Sequence, residues 1–277
     1  MRKTPLLTAA LFCTATAAFA QDKTYTVALD GTFAPHAMPS LSGGVEGFNV
    51  DLANEIGERL GAKMDIVATQ WSGILPGLAA GTYDFVVAPT TITEERAENI
   101  LFSEGYLNTD FGFVVKEGSE EITELAQLDG KVIAVNKGSV YDSWATDLAE
   151  EIGWTVESYG TNADAVQAVI SGRAHANVAG STASAWAAKQ SPQLALSYVH
   201  STGLVWGMPF RTGDEELRAS VESIIECMKI DGTMAELSVK WFGVEPAPGS
   251  AAVTPLPGFG EPGFKGHVEG GHTPSCG

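Results

Sequence analysis

Short apolar runs alternate with amphipathic stretches along most of the chain. Tyr25 to Leu29, Lys63 to Thr69 and Phe85 to Val87 read as strands. Between them, Leu52, Ile56 and Leu60 recur at helical spacing until Gly61 offers a stop, and a second helix is predicted over Ile74 to Ala80. The pattern then restarts. Val132 to Val135, Thr155 to Tyr159 and Ala176 to Ala179 read as strands, with helices reaching about Glu151 and covering Ala163 to Ile170. Glu215 to Trp241 is helical, broken at Gly232-Thr233. Strands and helices alternating in this way predict α/β architecture with largely parallel sheets, arranged as two successive units.

The two ends break the pattern. Met1-Arg2-Lys3, the apolar stretch Pro5 to Ala18 and the small-x-small triplet Ala18-Phe19-Ala20 read as a signal peptide over residues 1–20, removed before Gln21. Residues 246–277 are rich in Pro, Gly and Ala and are expected to be a disordered tail. Its His267, His272 and Cys276 are three ligand types compatible with zinc, but a flexible tail is weak support, and no metal or cofactor is expected. No later stretch approaches the length of a membrane-spanning helix. The formal charge of −18 becomes −20 once Arg2 and Lys3 are removed, which disfavours nucleic acid and anionic membranes. Cys227 and Cys276 could pair in an exported protein, or Cys227 could be a small core residue.

Candidate chemistry gathers at strand ends. In Asp84 to Arg96 a buried strand gives way to Ala88, then Thr90 and Thr91, then a helix start carrying Arg96. A guanidinium beside hydroxyls and free helix N–H groups suits a carboxylate, since Arg presents a planar fork of donors. Asp30 and Phe33 follow the first strand, and Trp71 the second. Lys137-Gly138-Ser139 and Gly180-Ser181-Thr182 follow strands of the second unit. Thr91 and Ser139 suit turn or helix capping as well as ligand contact. Trp144, Trp154, Trp186, Trp206 and Trp241 are read as packing residues, with Trp206 near a crossing between units.

Gly47-Phe48-Asn49-Val50-Asp51-Leu52, Trp71 to Leu78 and Asp84 to Arg96, taken together and in this order, resemble the periplasmic amino-acid-binding proteins of ABC importers, solute-binding family 3. The resemblance runs from about Thr24 to Gly243. It implies a two-lobed periplasmic binding protein fold of type II, with the ligand cleft between lobes. Residues 21–111 and 207–245 would form the first lobe and 112–206 the second, with crossings near Asp110–Gly112 and Gly203–Gly207. It also implies a monomer that takes a small carboxylate-bearing solute, an amino acid or derivative, to a membrane permease in the periplasm. Arg96 would hold the carboxylate, with Thr91, Ala88, Trp71, Phe33, Asp30, Ser139 and Ser181 completing the pocket.

One position departs from the family. Members binding ordinary α-amino acids carry an acid just after the strand matched by Ala176 to Ala179, and Gly180 stands there. The ligand could lack a primary amine, could place its cationic part near Asp30, Phe33 and Trp71, or could rest an ordinary ammonium on Ser181, Thr182 and water. The same fold also hosts periplasmic cyclohexadienyl dehydratases, for which Asp30 is the one candidate general acid, and sensory or redox accessory proteins.

Overall fold

A computed structural model describes residues 23–272, 274 and 276; the expected signal peptide lies outside the described residues. The chain opens with β1 (Lys23–Leu29), a small hairpin β2 (Met38–Pro39) and β3 (Val45–Glu46), then α1 (Phe48–Leu60) and β4 (Ala62–Ala68). It continues through α2 (Trp71–Ala79), β5 (Phe85–Val86), β6 (Thr90–Thr91), α3 (Glu94–Ala97) and β7 (Ile100–Phe102). The second lobe contains β8 (Leu107–Lys116), β9 (Val132–Asn136), α4 (Val140–Asp147), α5 (Ala149–Ile152), β10 (Thr155–Tyr159), α6 (Asn162–Ile170), β11 (Ala176–Gly180), α7 (Ser181–Gln190) and β12 (Leu194–Gly207). The chain then returns with β13 (Pro209–Arg211), α8 (Glu215–Asp231) and α9 (Thr233–Phe242).

Each lobe is built on one sheet, ordered β4-β1-β5-β13-β7 in the first and β10-β9-β11-β8-β12-β6 in the second. The strands seen in the apolar pattern are parallel, as expected. The sheets as wholes are mixed, because β13, β8 and β12 run antiparallel to their neighbours. Helix α1 buries Phe48, Leu52, Ala53 and Ile56, and Gly61 ends it in the left-handed conformation at φ 62°, where a side chain would be strained.

The lobes are joined by two short connections. Residues 103–106 lead from β7 into β8, and Met208 leads from β12 back to β13. They bond to each other, Ser103 N donating to Met208 O at 3.0 Å and Met208 N to Ser103 Oγ at 2.9 Å. The long strand β8 therefore begins at Leu107, ahead of the crossing expected near Asp110–Gly112, and β6 joins the same sheet from earlier in the chain.

The tail is a correction. Most of residues 246–272 pack against the first lobe: Ala252 is buried, and Phe259 and Val268 form a β-bridge. Cys276 is disulfide-bonded to Cys227 of α8, across 49 residues of sequence. Composition misleads because this segment brings no core of its own. Instead it lays its backbone on buried charges of the lobe, which removes the cost of leaving peptide groups unpaired. Gly260 N donates to Glu222 Oε1 at 2.6 Å, Leu256 N to Glu104 Oε2 at 2.6 Å, and Gly105 N to Glu261 Oε2 at 2.8 Å. Lys229 Nζ lies at the centre, donating to Glu104 Oε1 at 2.5 Å, Gly105 O at 2.7 Å and Thr254 O at 3.3 Å. Burial pulls Lys229 down and pushes Glu222 up to about 8. Oxygens of Glu104, Glu222 and Glu226 come within 4.8 Å of one another, but Lys229 and Arg218 already stand among them as counter-charges. The three tail residues considered for zinc are engaged separately: Cys276 in the disulfide, His272 with Glu226 and His267 with Gly260 O.

Candidate functional site

Between the lobes lies a narrow cavity of about 30 Å³, lined by Asp30, Phe33, Trp71, Ala88, Pro89, Thr91, Arg96, Asn136, Ser139, Val140 and Tyr141. Seven of the eight residues singled out in the sequence meet here: Arg96, Thr91, Trp71, Phe33, Asp30, Ser139 and Ala88. Ser181 does not. As the first residue of α7 it faces a separate apolar groove with Pro35, Thr182, Trp186 and Phe242.

The first lobe supplies the charged groups. Arg96 belongs to the short α3, whose N-cap Thr93 accepts from Arg96 N at 3.3 Å. Its guanidinium is half-buried, donates from Nη1 to Thr91 O at 2.9 Å, and lies 5.5 Å from the centre of the Trp71 ring. Among the described residues it makes no ion pair. Burial holds its pKa below the usual arginine value, against the pull of Tyr141 and Glu95. The planar fork of donors on such a half-buried cation is chemically suited to an anion.

Asp30 is 3 % exposed and already committed as an acceptor. Oδ1 takes Thr32 N at 2.9 Å and Thr32 Oγ1 at 2.6 Å, while Oδ2 takes Trp71 N, at the start of α2, at 3.2 Å. The carboxylate thus ties the end of β1 to the first turn of the helix that positions Trp71.

The second lobe supplies polar and aromatic surface. Ser139 caps α4, accepting from Asp142 N at 3.2 Å, and still lines the cavity. Capping and facing the cavity are compatible because the first turn of α4 points into the cleft. Asn136, Val140 and Tyr141 were not singled out in the sequence. Asn136 and Val140 flank Lys137-Gly138-Ser139, so the loop after β9 was the available signal. Asn136 Oδ1 is buried without a hydrogen-bond partner. Burial pushes the Tyr141 phenol up to about 12, opposed by Thr109, Arg96, Trp206 and the Gly180 backbone.

Two hydrogen bonds cross the cleft. Trp71 Nε1 donates to Gly138 O at 2.9 Å. At the other side, His36 Nδ1 lies 2.9 Å from Asn49 Oδ1 and Nε2 lies 2.8 Å from Thr182 Oγ1. The Asn49 amide nitrogen donates to Val87 O at 2.6 Å and Tyr106 Oη at 2.8 Å. Its oxygen is therefore left to accept, which assigns the proton to His36 Nδ1 and leaves Nε2 to receive the Thr182 hydroxyl. His36 is fully buried among the rings of Phe33, Phe48, Trp206 and Phe242, and burial lowers it to about 4. Gly47 permits this arrangement: at φ 148° a Cβ would lie 2.4 Å from His36 O. Nothing adjacent in sequence marks His36, because its two polar partners are 13 and 146 residues away.

Residues 25–244 match the profile of the bacterial extracellular solute-binding proteins, family 3. The L-arginine-binding protein of Pseudomonas aeruginosa is 28 % identical over 256 residues, covering 88 % of this chain and 98 % of that protein. An ancestral arginine-binding protein bound to arginine superimposes with a TM-score of 0.76 at 33 % identity, covering 79 % of this chain and 98 % of that one. An ancestral amino acid-binding protein described as a precursor of cyclohexadienyl dehydratase gives a TM-score of 0.71 at 33 % identity, covering 79 % and 95 %.

Proposed function

The chain belongs to the bacterial extracellular solute-binding proteins of family 3, and on that premise we propose that it carries a small carboxylate-bearing solute, an amino acid or a derivative of one, to an ABC importer. The solute sits between the lobes at the carboxyl ends of their strands, where open α/β sheets bind ligands. Its carboxylate takes the place of an ion-pair partner for Arg96, with Thr91 and Ser139 completing the donors. Phe33, Trp71 and Tyr141 cover its hydrocarbon. The protein works as a periplasmic monomer, closes on one ligand and passes it to the membrane subunits without turnover. The observation that carries this reading is Arg96, a half-buried cation on the inter-lobe cavity with no ion pair among the described residues.

A thermal-shift screen over amino acids, opines, betaines, ectoine-like solutes and plain carboxylates identifies the ligand class. Saturation at one hundred times the dissociation constant raises stability by about 2.7 kcal/mol. Titration calorimetry of the strongest hit then compares the wild type with Arg96→Ala. Loss of a charge-assisted pair from a desolvated site is expected to weaken binding at least about 100-fold, equivalent to about 2.7 kcal/mol. Unchanged affinity would refute the role given to Arg96.

The likeness to the dehydratase precursor keeps catalysis as a second reading. The geometry counts against it. Asp30 spends both oxygens accepting hydrogen bonds from the chain, which leaves it badly placed as a general acid. Incubation with prephenate is expected to release no aromatic product, and saturable product formation would favour the enzyme.

A further inference from the structure

Gly180 closes β11 and opens α7, on the second-lobe side of the cleft. The space its side chain would take is already full. A Cβ there would lie 2.5 Å from Trp206 Cζ2, 2.7 Å from Trp206 Cη2 and 2.9 Å from Tyr141 Oη. These are rigid ring atoms of residues that are 1 % and 5 % exposed, so they cannot swing aside cheaply. The chain therefore places an indole edge and a phenol where a longer residue would have reached inward.

The charges on the cavity give the matching half of the picture. Among the described residues that line it, Arg96 and Asp30 are the only ones with a guanidinium, ammonium or carboxyl group. The three donors already on Asp30 come from Thr32 and Trp71 of its own lobe, and they occupy most of what a carboxylate can accept. On the second-lobe wall, one acceptor stands buried without a partner, Asn136 Oδ1. An ammonium brings three N–H donors and a full charge, and burying them against one neutral oxygen is costly.

Building on the proposed solute-binding role, we propose that Trp206 and Tyr141, packed over Gly180, make this site selective for carboxylates that carry no N–H-bearing ammonium beside the carboxyl group. The ligand class is a small monocarboxylate whose neighbouring position is uncharged or bears a fully alkylated nitrogen. A fully alkylated nitrogen needs no acceptor and can rest on the aromatic faces of Phe33 and Trp71. Arg96 attracts the carboxylate common to all candidates, and the wall at Gly180 rejects those that also need an anionic acceptor on that side. Selection is thus made against the competitor and not only for the ligand.

The test is a set of matched solutes titrated into the wild-type protein by calorimetry at pH 7. One series has a single ring skeleton: cyclopentanecarboxylate, N,N-dimethylproline and L-proline. A second compares 5-guanidinopentanoate with L-arginine. In whichever series binds, the members without N–H on the α-position are expected to bind at least about tenfold more tightly than the parent amino acid. Tighter binding of L-proline or L-arginine would overturn the selectivity while leaving the solute-binding role intact. Failure of every member to bind would remove that role at this cavity and the selectivity with it. A double variant, Gly180→Asp with Trp206→Ala, supplies both the acid and the room for it, and is expected to reverse the order within a series. Tyr141→Phe, which keeps the ring and removes the hydroxyl, is expected to retain the wild-type order; reversal there would show that the phenol oxygen, and not the filled space, sets the preference and would overturn the role of the packed wall.

Discussion

His36 offers a quantitative test of the closed cleft. The folded protein resists protonating it until about pH 4, whereas an exposed imidazole takes up its proton near 6.5. Its surroundings are an amide, a hydroxyl and four aromatic rings, none of which carries a negative charge, and the bond to Asn49 offsets the burial of an imidazolium only in part. A folded-state value below the unfolded one means that the unfolded chain binds the proton first, so stability falls as pH drops from 6.5 towards 4. Between pH 7 and pH 5 the loss is about 2 kcal/mol, and it would approach about 3.4 kcal/mol below pH 4. Glu222 runs the other way. Its value, pushed up to about 8, makes the folded state the better proton binder, so its contribution is present at low pH and is lost as pH rises through 8. Over the same interval it gives back an amount of similar size, and the total stability of the wild type would hide both. The informative quantity is therefore the penalty of His36→Gln, from urea unfolding at each pH. That penalty is expected to be about 2 kcal/mol smaller at pH 5 than at pH 7. Penalties equal within about 0.5 kcal/mol, the usual limit for independent sites, would show that His36 is not held neutral by burial and would refute the reasoning.

Three further outcomes follow from the same contacts. Cys276→Ser opens a loop of 49 residues and is expected to cost up to about 4 kcal/mol in urea unfolding; a loss under about 1 kcal/mol would mean that the crosslink adds little and the tail's hydrogen bonds hold it in place alone. Glu222→Gln should gain stability relative to the wild type as pH is raised from 6 to 9, because the variant no longer releases a buried proton, and a flat difference would contradict the raised value. Trp71→Phe removes the cross-cleft bond to Gly138 O and is expected to weaken calorimetric binding of the best ligand roughly fivefold, the worth of about 1 kcal/mol, while chemical stability changes little; unchanged affinity would exclude that bond from closure.

The sequence carried those parts of the molecule whose cause is local. Helical spacing at Leu52, Ile56 and Leu60 and the stop at Gly61 place α1, and apolar runs place β1, β9, β10 and β11 within a residue or two. Arg96, Trp71 and Asp30 were legible because each follows a strand, and strand ends in α/β folds face the cleft. The long pair β8 and β12 was not legible. Leu194–Gly207 is interrupted by Ser197, His200, Ser201 and Thr202, and its pairing with β8 shifts register between His200 and Leu204. The tail was misread because its order rests on acids and a lysine contributed by distant segments. Trp206 was placed as packing, and it does pack, against Gly180 beside the Tyr141 ring that lines the cavity. Ser181 was misplaced because Gly180 turns the chain directly into a helix instead of a loop.

Residues 251–261 grip the first connection between the lobes from several sides. Ala251 N donates to Asn108 Oδ1 at 2.9 Å, Leu256 N to Glu104 Oε2, and Glu261 accepts Gly105 N, while Lys229 holds Gly105 O from beneath. The second connection, Met208, is bonded through both its N–H and its C=O to Ser103 of the first, so the two are fastened to each other. What the tail braces in one connection it therefore braces in both, and unfastening it would slacken the whole hinge at once.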